Sequence, residues 1–206
     1  MSKTLKRYSD SDRMNHWFIA ILFFLAALSG LAFFHPSLYF LNHLFGGGTW
    51  SRILHPLLGV LMFLGFILMF FRMVKYNLFN KDDRVWRKQS GRMLRGQVEP
   101  NLPVGKYNYG QKMVFWLMTL SLLALLITGV LFWQPWFAPI FSVEILRAAA
   151  LIHAIAAWVL ILTVLVHIYA AIWVKGTMRA MTQGSVTEEW AKTHHPLWYK
   201  EETGQK

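Results

Sequence analysis

The chain has 206 residues, of which 55% are hydrophobic and only 15% are charged. Four stretches contain no Lys, Arg, Asp or Glu: Trp17–Phe34, Ile53–Phe71, Met113–Trp133 and Ala148–Val174. This distribution excludes a disordered chain and an ordinary soluble domain, which carries about 25% charge spread along its length. The net charge of +11 does not indicate a nucleic-acid binder, because no soluble basic domain is visible to hold such a site.

Each charge-free stretch is long enough to cross a membrane as a helix, since a hydrocarbon core needs roughly 20 helical residues. Barrel strands would instead alternate in polarity over about ten residues. We therefore predict an all-α integral membrane four-helix bundle. It would form a single domain over residues 1–206, with spans at about 14–35, 52–75, 110–134 and 146–175. Two other interpretations are disfavoured. A signal peptide at Trp17–Phe34 would follow Asp10 and Asp12 and has no cleavage site, and a buried soluble helix at Ile53–Phe71 would rarely be this free of charge.

The basic residues predict the orientation of the bundle. Nineteen of the 21 lie in the N-terminal segment, in the connection between spans two and three, or in the tail from Lys175. The opposite side has only Arg52 and Arg147. By the positive-inside rule, both termini are expected in the cytoplasm. Within the basic connection, Val85–Leu94 is predicted to be a short helix on the membrane surface.

Four of the eight histidines lie within or at the edges of the apolar stretches: His16, His55, His153 and His167. Ionisable groups in such places are usually functional. His153 and His167 are 14 residues apart on the fourth span, which places them about 21 Å apart and within about 40° of one helix face. His55 can then meet His153 near the outer surface, and His16 can meet His167 near the inner surface.

A pair of imidazoles from facing helices fits a b-type haem, with both axial positions filled and none open for oxygen chemistry. The pattern therefore predicts two haems b. Several alternatives remain open. The histidines could only hydrogen-bond neighbouring helices, or His35 could replace His55. Zinc would prefer a compact cluster of three or four ligands, and a proton relay often uses carboxylates, which the spans lack. Small residues that would admit a macrocycle are Gly30, Gly59, Gly65, Gly129, Ala154, Ala156 and Ala157.

Six motifs carry a resemblance to a known family: RMNHW (13–17), RILHP (52–56), GKYNYGQK (105–112), IHA (152–154), HIYAAIWVKG (167–176) and WAKTHHPLWY (190–199). Together they cover nearly the whole chain. The chain resembles the gamma subunit of membrane-bound respiratory formate dehydrogenase. The resemblance implies a four-helix, di-haem cytochrome b of the bacterial inner membrane, with an outer haem held by His55 and His153 and an inner haem held by His16 and His167.

The resemblance also implies a quinone site, for menaquinone or ubiquinone, at Asn108, Gly110 and Gln111. Side-chain amides both donate and accept hydrogen bonds, so they could bind a quinone carbonyl and later a quinol hydroxyl. The glycine would allow the quinone to approach the backbone closely. The alternative interpretation of this segment is a turn and helix start before the third span.

The implied partners complete an electron path. A catalytic (alpha) subunit with molybdenum or tungsten would oxidise formate outside, and an iron–sulfur (beta) subunit would pass electrons to the outer haem. This chain would then reduce quinone without oxidising formate itself, so no catalytic side chain is assigned. The outer loops Pro36–Ser51 and Gln134–Arg147 are the expected contacts with the iron–sulfur subunit, and the heterotrimer could form a higher oligomer. The alternatives are a cytochrome b subunit of a hydrogenase or thiosulfate reductase, and a haem-free anchor or transporter.

Overall fold

The computed structural model describes residues 3–93, 95 and 102–204. Helices dominate these residues. In chain order the elements are β1 (Thr4–Lys6), α1 (Asp10–Phe34), a 3₁₀ helix (Pro36–Phe45), α2 (Gly48–Met73), a 3₁₀ turn (Val74–Tyr76), α3 (Lys81–Met93), α4 (Tyr109–Leu131), a 3₁₀ turn (Ala138–Ile140), α5 (Val143–Trp173), α6 (Thr177–Gln183), β2 (Ser185–Thr187), α7 (Glu188–His194) and α8 (Pro196–Thr203).

The four charge-free stretches form the four long helices α1, α2, α4 and α5. Within the described part of the chain, these are the helices long and apolar enough to cross a membrane. They expose large apolar side chains, among them Leu64 at 53% and Leu120 at 61%, as expected of helices whose outer surface faces lipid. The predicted helical membrane bundle is confirmed, with the addition of one short two-stranded sheet.

The chain divides into two compact units. The first, called here the apolar unit, comprises Met14–Phe70 and Leu117–Leu165. The second, called the basic unit, comprises Met1–Arg13, Phe71–Trp116 and Val166–Lys206, and its sequence contains 19 of the 21 Lys and Arg residues.

The apolar unit has a core to which all four long helices contribute. Its buried members are Leu22, Phe23, Ala26, Met62, Phe66, Leu122 and Leu160. Helices α1 and α2 approach closely at Gly65, where an added Cβ would lie 3.1 Å from Ile19 Cγ1. At the same place, Asn15 Nδ2 donates a hydrogen bond of 3.0 Å to the Gly65 carbonyl. A small residue and an interhelical hydrogen bond are typical of helix packing in membranes.

The basic unit joins the two ends of the chain. Strand β1 pairs antiparallel with β2, placing Leu5 opposite Val186, and the Leu197 N–H donates to the carbonyl of Val104 in the connection between α2 and α4. The three segments that carry the basic charge therefore pack together, as expected if they lie on one side of a membrane.

The surface helix predicted at Val85–Leu94 is longer than expected. Helix α3 begins four residues earlier, at Lys81, while Leu94 lies outside the described residues. The early start has a local cause, because Asn80 and Asp83 cap the helix reciprocally. The Asp83 N–H donates to Asn80 Oδ1 at 3.1 Å, and the Asn80 N–H donates to Asp83 Oδ2 at 2.7 Å.

Candidate functional site

His55 on α2 and His153 on α5 face each other inside the apolar unit. Their ring centroids are 6.3 Å apart and their planes are inclined by 66°. A metal–imidazole bond is about 2 Å long, and the ring centroid lies about 1 Å beyond the bonded nitrogen. Two imidazoles on opposite sides of one metal ion therefore have centroids about 6 Å apart, and the observed spacing of 6.3 Å fits an iron held between the two rings.

Aromatic rings border the pair. Phe33 contacts the His55 ring edge-on at 6.2 Å between centroids, and Phe132 contacts the His153 ring at 5.1 Å. These side chains place apolar surface beside each imidazole, as is typical of a haem pocket, in which burial helps to tune the potential.

Each imidazole of the pair is held by a hydroxyl group from a third or fourth helix. Ser29 Oγ on α1 lies 2.9 Å from His55 Nδ1, and Thr128 Oγ1 on α4 lies 2.9 Å from His153 Nδ1. Sequence reasoning missed both hydroxyls. The signal that could have found them is a hydroxyl residue directly before a glycine, which occurs in the first span at Ser29–Gly30 and in the third at Thr128–Gly129.

His16 and His167, the predicted inner pair, belong to different units. His16 lies on α1 in the apolar unit, where its ring contacts that of Trp17 edge-on at 5.3 Å. His167 lies on α5 in the basic unit and has an exposed side chain. The inner pair therefore stays a prediction.

His35, the competitor for the outer site, has a different role. It precedes the 3₁₀ helix Pro36–Phe45, and its Nδ1 accepts a hydrogen bond of 3.2 Å from the Ser37 N–H. The side chain is exposed. The imidazole that faces His153 is therefore that of His55.

Asn108 and Gln111 form a reciprocal cap at the start of α4. The Gln111 N–H donates to Asn108 Oδ1 at 2.9 Å, and the Asn108 N–H donates to Gln111 Oε1 at 3.0 Å. This is the capping-box arrangement, which satisfies backbone donors at a helix start. Both amide oxygens are thereby engaged, so the NH₂ groups are the parts suited to a ligand.

Gly110 lies under the indole of Trp86 from α3. A Cβ added at Gly110 would lie 3.2 Å from Trp86 Cη2 and 3.4 Å from Asn108 Oδ1. The missing side chain is thus required locally by the packing of α3 against the start of α4. The three residues predicted for quinone lie together at this helix start.

Two facing imidazoles, held from their far sides within a bundle of apolar helices, are the arrangement of a membrane cytochrome b. The sequence comparisons agree. The chain matches the model of the prokaryotic cytochrome b561 family over residues 7–184, and it belongs to that family of b-type haem proteins. The pair at His55 and His153 fits the group that the family binds.

Close relatives extend over nearly the whole chain. The chain is 48% identical over 198 residues to the formate dehydrogenase cytochrome b556(fdo) subunit of Escherichia coli (strain K12), covering 96% of this chain and 93% of the relative. It is 44% identical over 200 residues to the nitrate-inducible formate dehydrogenase cytochrome b556(Fdn) subunit of the same strain, covering 97% and 92%. It is 41% identical over 196 residues to the formate dehydrogenase cytochrome b556 subunit of Haemophilus influenzae (strain ATCC 51907 / DSM 11121 / KW20 / Rd), covering 95% and 82%. The resemblance drawn from the motifs is confirmed.

Proposed function

We propose that this chain is the membrane electron-transfer subunit of a quinone-linked formate dehydrogenase. It anchors the complex and conducts electrons from an iron–sulfur subunit on the periplasmic side to quinone on the cytoplasmic side. The observation that carries the proposal is the pairing of His55 with His153, whose rings are 6.3 Å apart in an apolar unit. The names of the relatives favour formate dehydrogenase as the enzyme served.

Two haems b are proposed, both in a single transmembrane domain with the spans predicted above. The outer haem is held by His55 and His153, and the inner haem by His16 and His167. The inner assignment is supported by helix α5, which carries both His153 and His167. Haem with two imidazole ligands supplies one-electron transfer without an open iron position. In the apolar unit, Ser29 and Thr128 contact the imidazoles of His55 and His153. Phe33 and Phe132 cover these rings with apolar surface.

The quinone is proposed to bind at the start of α4, through Asn108, Gly110 and Gln111. Because the cap engages both amide oxygens, the amide nitrogens would act as donors to a carbonyl of menaquinone or ubiquinone. The chain is then the quinone-reducing subunit of the oxidoreductase, and formate oxidation takes place on its partner.

Both termini are proposed to be cytoplasmic, in the inner membrane of the bacterium. The support is the basic unit, whose three segments carry 19 of the 21 basic residues and would also suit the anionic lipid of the cytoplasmic leaflet. Each electron moved inward against 100 mV then requires about 2.3 kcal/mol. Part of the driving force of formate oxidation is therefore stored as membrane potential.

The loops Pro36–Ser51 and Gln134–Arg147 are proposed to contact the iron–sulfur (beta) subunit, and through it the molybdenum or tungsten catalytic (alpha) subunit. Both loops expose large apolar side chains, including Phe40 at 62%, Trp136 at 71% and Ile140 at 73%. Such patches are typical of protein contacts. Crosslinks to the iron–sulfur subunit confined to the connection between α2 and α4 would contradict this assignment. A higher oligomer of the heterotrimer is compatible with it.

Haem analysis of the purified protein tests the proposal. We expect reduced-minus-oxidised spectra with b-type bands and two haems per chain. His153→Ala should remove the outer haem and His167→Ala the inner one, while the matched control His35→Ala, at an exposed cap, should keep both. Colourless wild-type protein would refute the cytochrome function. Co-purification with a hydrogenase or thiosulfate reductase, in place of formate dehydrogenase subunits, would favour the alternative partner.

A further inference from the structure

The two helices that flank the imidazole pair carry the same arrangement of a hydroxyl residue followed by a glycine. On α1, Ser29 and Gly30 adjoin His55, and on α4, Thr128 and Gly129 adjoin His153. The two hydroxyl oxygens each lie 2.9 Å from an Nδ1 atom. Both hydroxyl residues are buried, Ser29 at 0% and Thr128 at 5% exposure, so bulk water does not compete for these contacts.

The direction of these hydrogen bonds depends on which partner receives the hydroxyl proton. A hydroxyl has one proton and two lone pairs. Ser29 Oγ donates to its own helix, at 2.9 Å from the Leu25 carbonyl, and Thr128 Oγ1 donates to the Ala124 carbonyl at 2.6 Å. When each hydroxyl gives its proton to its own helix, its oxygen accepts the bond from the imidazole, as a ring that binds metal through Nε2 requires. Nδ1 then carries the proton in both rings, which leaves the Nε2 lone pair of both for a metal.

The glycines allow the flanking helices to come close to the rings. A Cβ at Gly30 would lie 3.0 Å from His55 Cε1, and a Cβ at Gly129 would lie 3.2 Å from His153 Cε1. Both distances are tighter than ordinary van der Waals contact. The helix backbone therefore packs on the edge of each ring next to the bonded Nδ1, and it restricts the tilt of the imidazole.

We propose that Ser29 and Thr128 are positioning residues of the outer haem, which fix the tautomer and orientation of its two ligands. The proposal rests on the assignment of His55 and His153 as haem ligands. A ligating histidine that donates its second N–H to an acceptor is better oriented and more basic. Loss of that acceptor typically lowers the metal affinity about 10- to 100-fold. A more basic ligand favours ferric iron, so the two hydroxyls also lower the reduction potential of this haem.

Redox titration of the purified wild-type complex and its variants tests the inference. Thr128→Val keeps the side-chain shape but replaces the acceptor hydroxyl with a methyl group. Ser29→Ala removes the acceptor hydroxyl on α1. We expect each to raise the midpoint potential of one haem component, the same component in both cases, and to weaken haem retention by about tenfold or more. Thr128→Ser and Ser29→Thr retain a hydroxyl and should restore the wild-type potential.

Thr163 provides a matched control. It is buried at 6% exposure on α5, and its hydroxyl makes the same bond to the carbonyl four residues earlier, at 2.7 Å from Val159 O. Thr163→Val should leave the potential of the outer haem unchanged, because the hydroxyls bonded to His55 and His153 are those of Ser29 and Thr128.

The outcomes separate this inference from the proposed function. Wild-type protein without haem would refute the function itself. Wild-type haem content, together with unchanged potentials in Thr128→Val and Ser29→Ala, would overturn only the positioning role. Loss of the outer haem in Thr128→Val supports the role if Thr128→Ser retains it, and overturns the role if Thr128→Ser loses it as well. If Thr128→Val does not fold, the comparison of Ser29→Ala with Ser29→Thr decides in the same way.

Discussion

The side chains of Asn108 and Gln111 divide into oxygens that cap a helix and NH₂ groups that remain for the proposed quinone. Their oxygens cap the start of α4, while their NH₂ groups can still donate. The sequence predicted that these amides would both donate to a quinone carbonyl and accept from a quinol hydroxyl. With the oxygens engaged in the cap, donation is the role that the structure favours.

This division of roles can be tested with Asn108→Asp. Aspartate keeps the cap oxygen and suits a helix N-terminus, but it has no N–H to donate. We expect both haems to be retained and quinone reduction to slow by about two- to twelvefold, which corresponds to the loss of one hydrogen bond of about 0.5–1.5 kcal/mol. The measurement is the rate at which a quinone analogue reoxidises the reduced haems. Asn80→Asp introduces the same charge into the equivalent cap of α3 and should not change the rate. Equal slowing in the two variants would assign the effect to charge.

At the scale of single residues, the sequence was informative where a side chain contradicted its surroundings. The pairing of His55 with His153 could be predicted because an imidazole in a charge-free membrane helix is energetically costly and is usually functional. The contacts of Ser29 and Thr128 with these rings could not be predicted, since a hydroxyl in such a helix can hydrogen-bond to a backbone carbonyl of its own helix. The burial of His195, placed by the sequence in the tail, was also missed. The buried ring contacts residues distant in sequence, among them Arg7, whose Nη2 lies 3.3 Å from His195 Nε2.

At the scale of elements, α3 is fastened to the first turn of α4 by a buried ion pair. Lys112 Nζ lies 2.9 Å from Asp83 Oδ2 and also donates to the Leu78 carbonyl at 3.0 Å. The two side chains are only 5% and 7% exposed. Tyr109 packs against Trp86 at 5.9 Å between ring centroids. The ion pair thus fixes α3 beside the segment proposed for quinone.

Removal of one partner of this pair should release α3. Asp83→Asn leaves the Lys112 ammonium group buried without its counter-charge, which costs about 3–5 kcal/mol. We expect hydrogen exchange across α3 to accelerate about a hundredfold or more. The neighbouring change Asp82→Asn serves as control and should have little effect. Adding Lys112→Met to Asp83→Asn should recover much of the protection, because no buried charge then lacks a partner. Equal exchange in Asp83→Asn and Asp82→Asn would contradict a stabilising role for the pair.

The contact between the chain ends should depend on pH through His195. Burial, with the Arg7 guanidinium close by, holds the pKa of His195 well below its usual value, and its Nδ1 donates to the Gly105 carbonyl at 2.7 Å. Above about pH 6.5, the unfolded value, the ring is neutral in both states and the stability is complete. As the pH falls below that value, the unfolded state takes up a proton that the folded state resists, and stability is lost by at most about 1.4 kcal/mol per pH unit.

Hydrogen exchange of β1 and β2 measures this loss. Protection should fall between about pH 7 and about pH 5 after correction for the intrinsic exchange rate. His195→Gln, which can still donate and accept but cannot titrate, should flatten the dependence. His35→Gln, in the apolar unit, should leave it unchanged. A wild-type protection that does not vary over this range would contradict the role of His195.

Some elements are determined by their own residues, and others by contacts with distant parts of the chain. The four long helices could be predicted because lipid requires about 20 consecutive apolar residues, a condition met within each segment. The sheet of β1 and β2 could not, because strands of three residues show no alternation and pair through tertiary contacts at opposite ends of the chain. Helix α3 was predicted too short, since its start depends on the cap between Asn80 and Asp83.

At the scale of the whole molecule, charge and apolar surface are separated along the chain. The basic unit contains 19 of the 21 basic residues and nine of the ten acidic ones, and the apolar unit has only Arg52, Arg147 and Glu144 as charged residues. Such a separation leaves one unit with nearly all the charged residues of the chain. The positive-inside rule then predicts which side of the membrane it occupies.

Labelling with a membrane-impermeant maleimide tests this orientation. The chain has no cysteine, so each introduced cysteine reports on one place. Ser37→Cys and Ser142→Cys lie in the loops proposed to be periplasmic and should react in intact spheroplasts. Ser90→Cys and Glu201→Cys lie in the basic unit and should react only after the inner membrane is permeabilised. The reverse pattern would invert the proposed sides and hence the direction of electron flow, while the haem assignments would stand, because the spacing of the His55 and His153 rings does not depend on which side faces the cytoplasm.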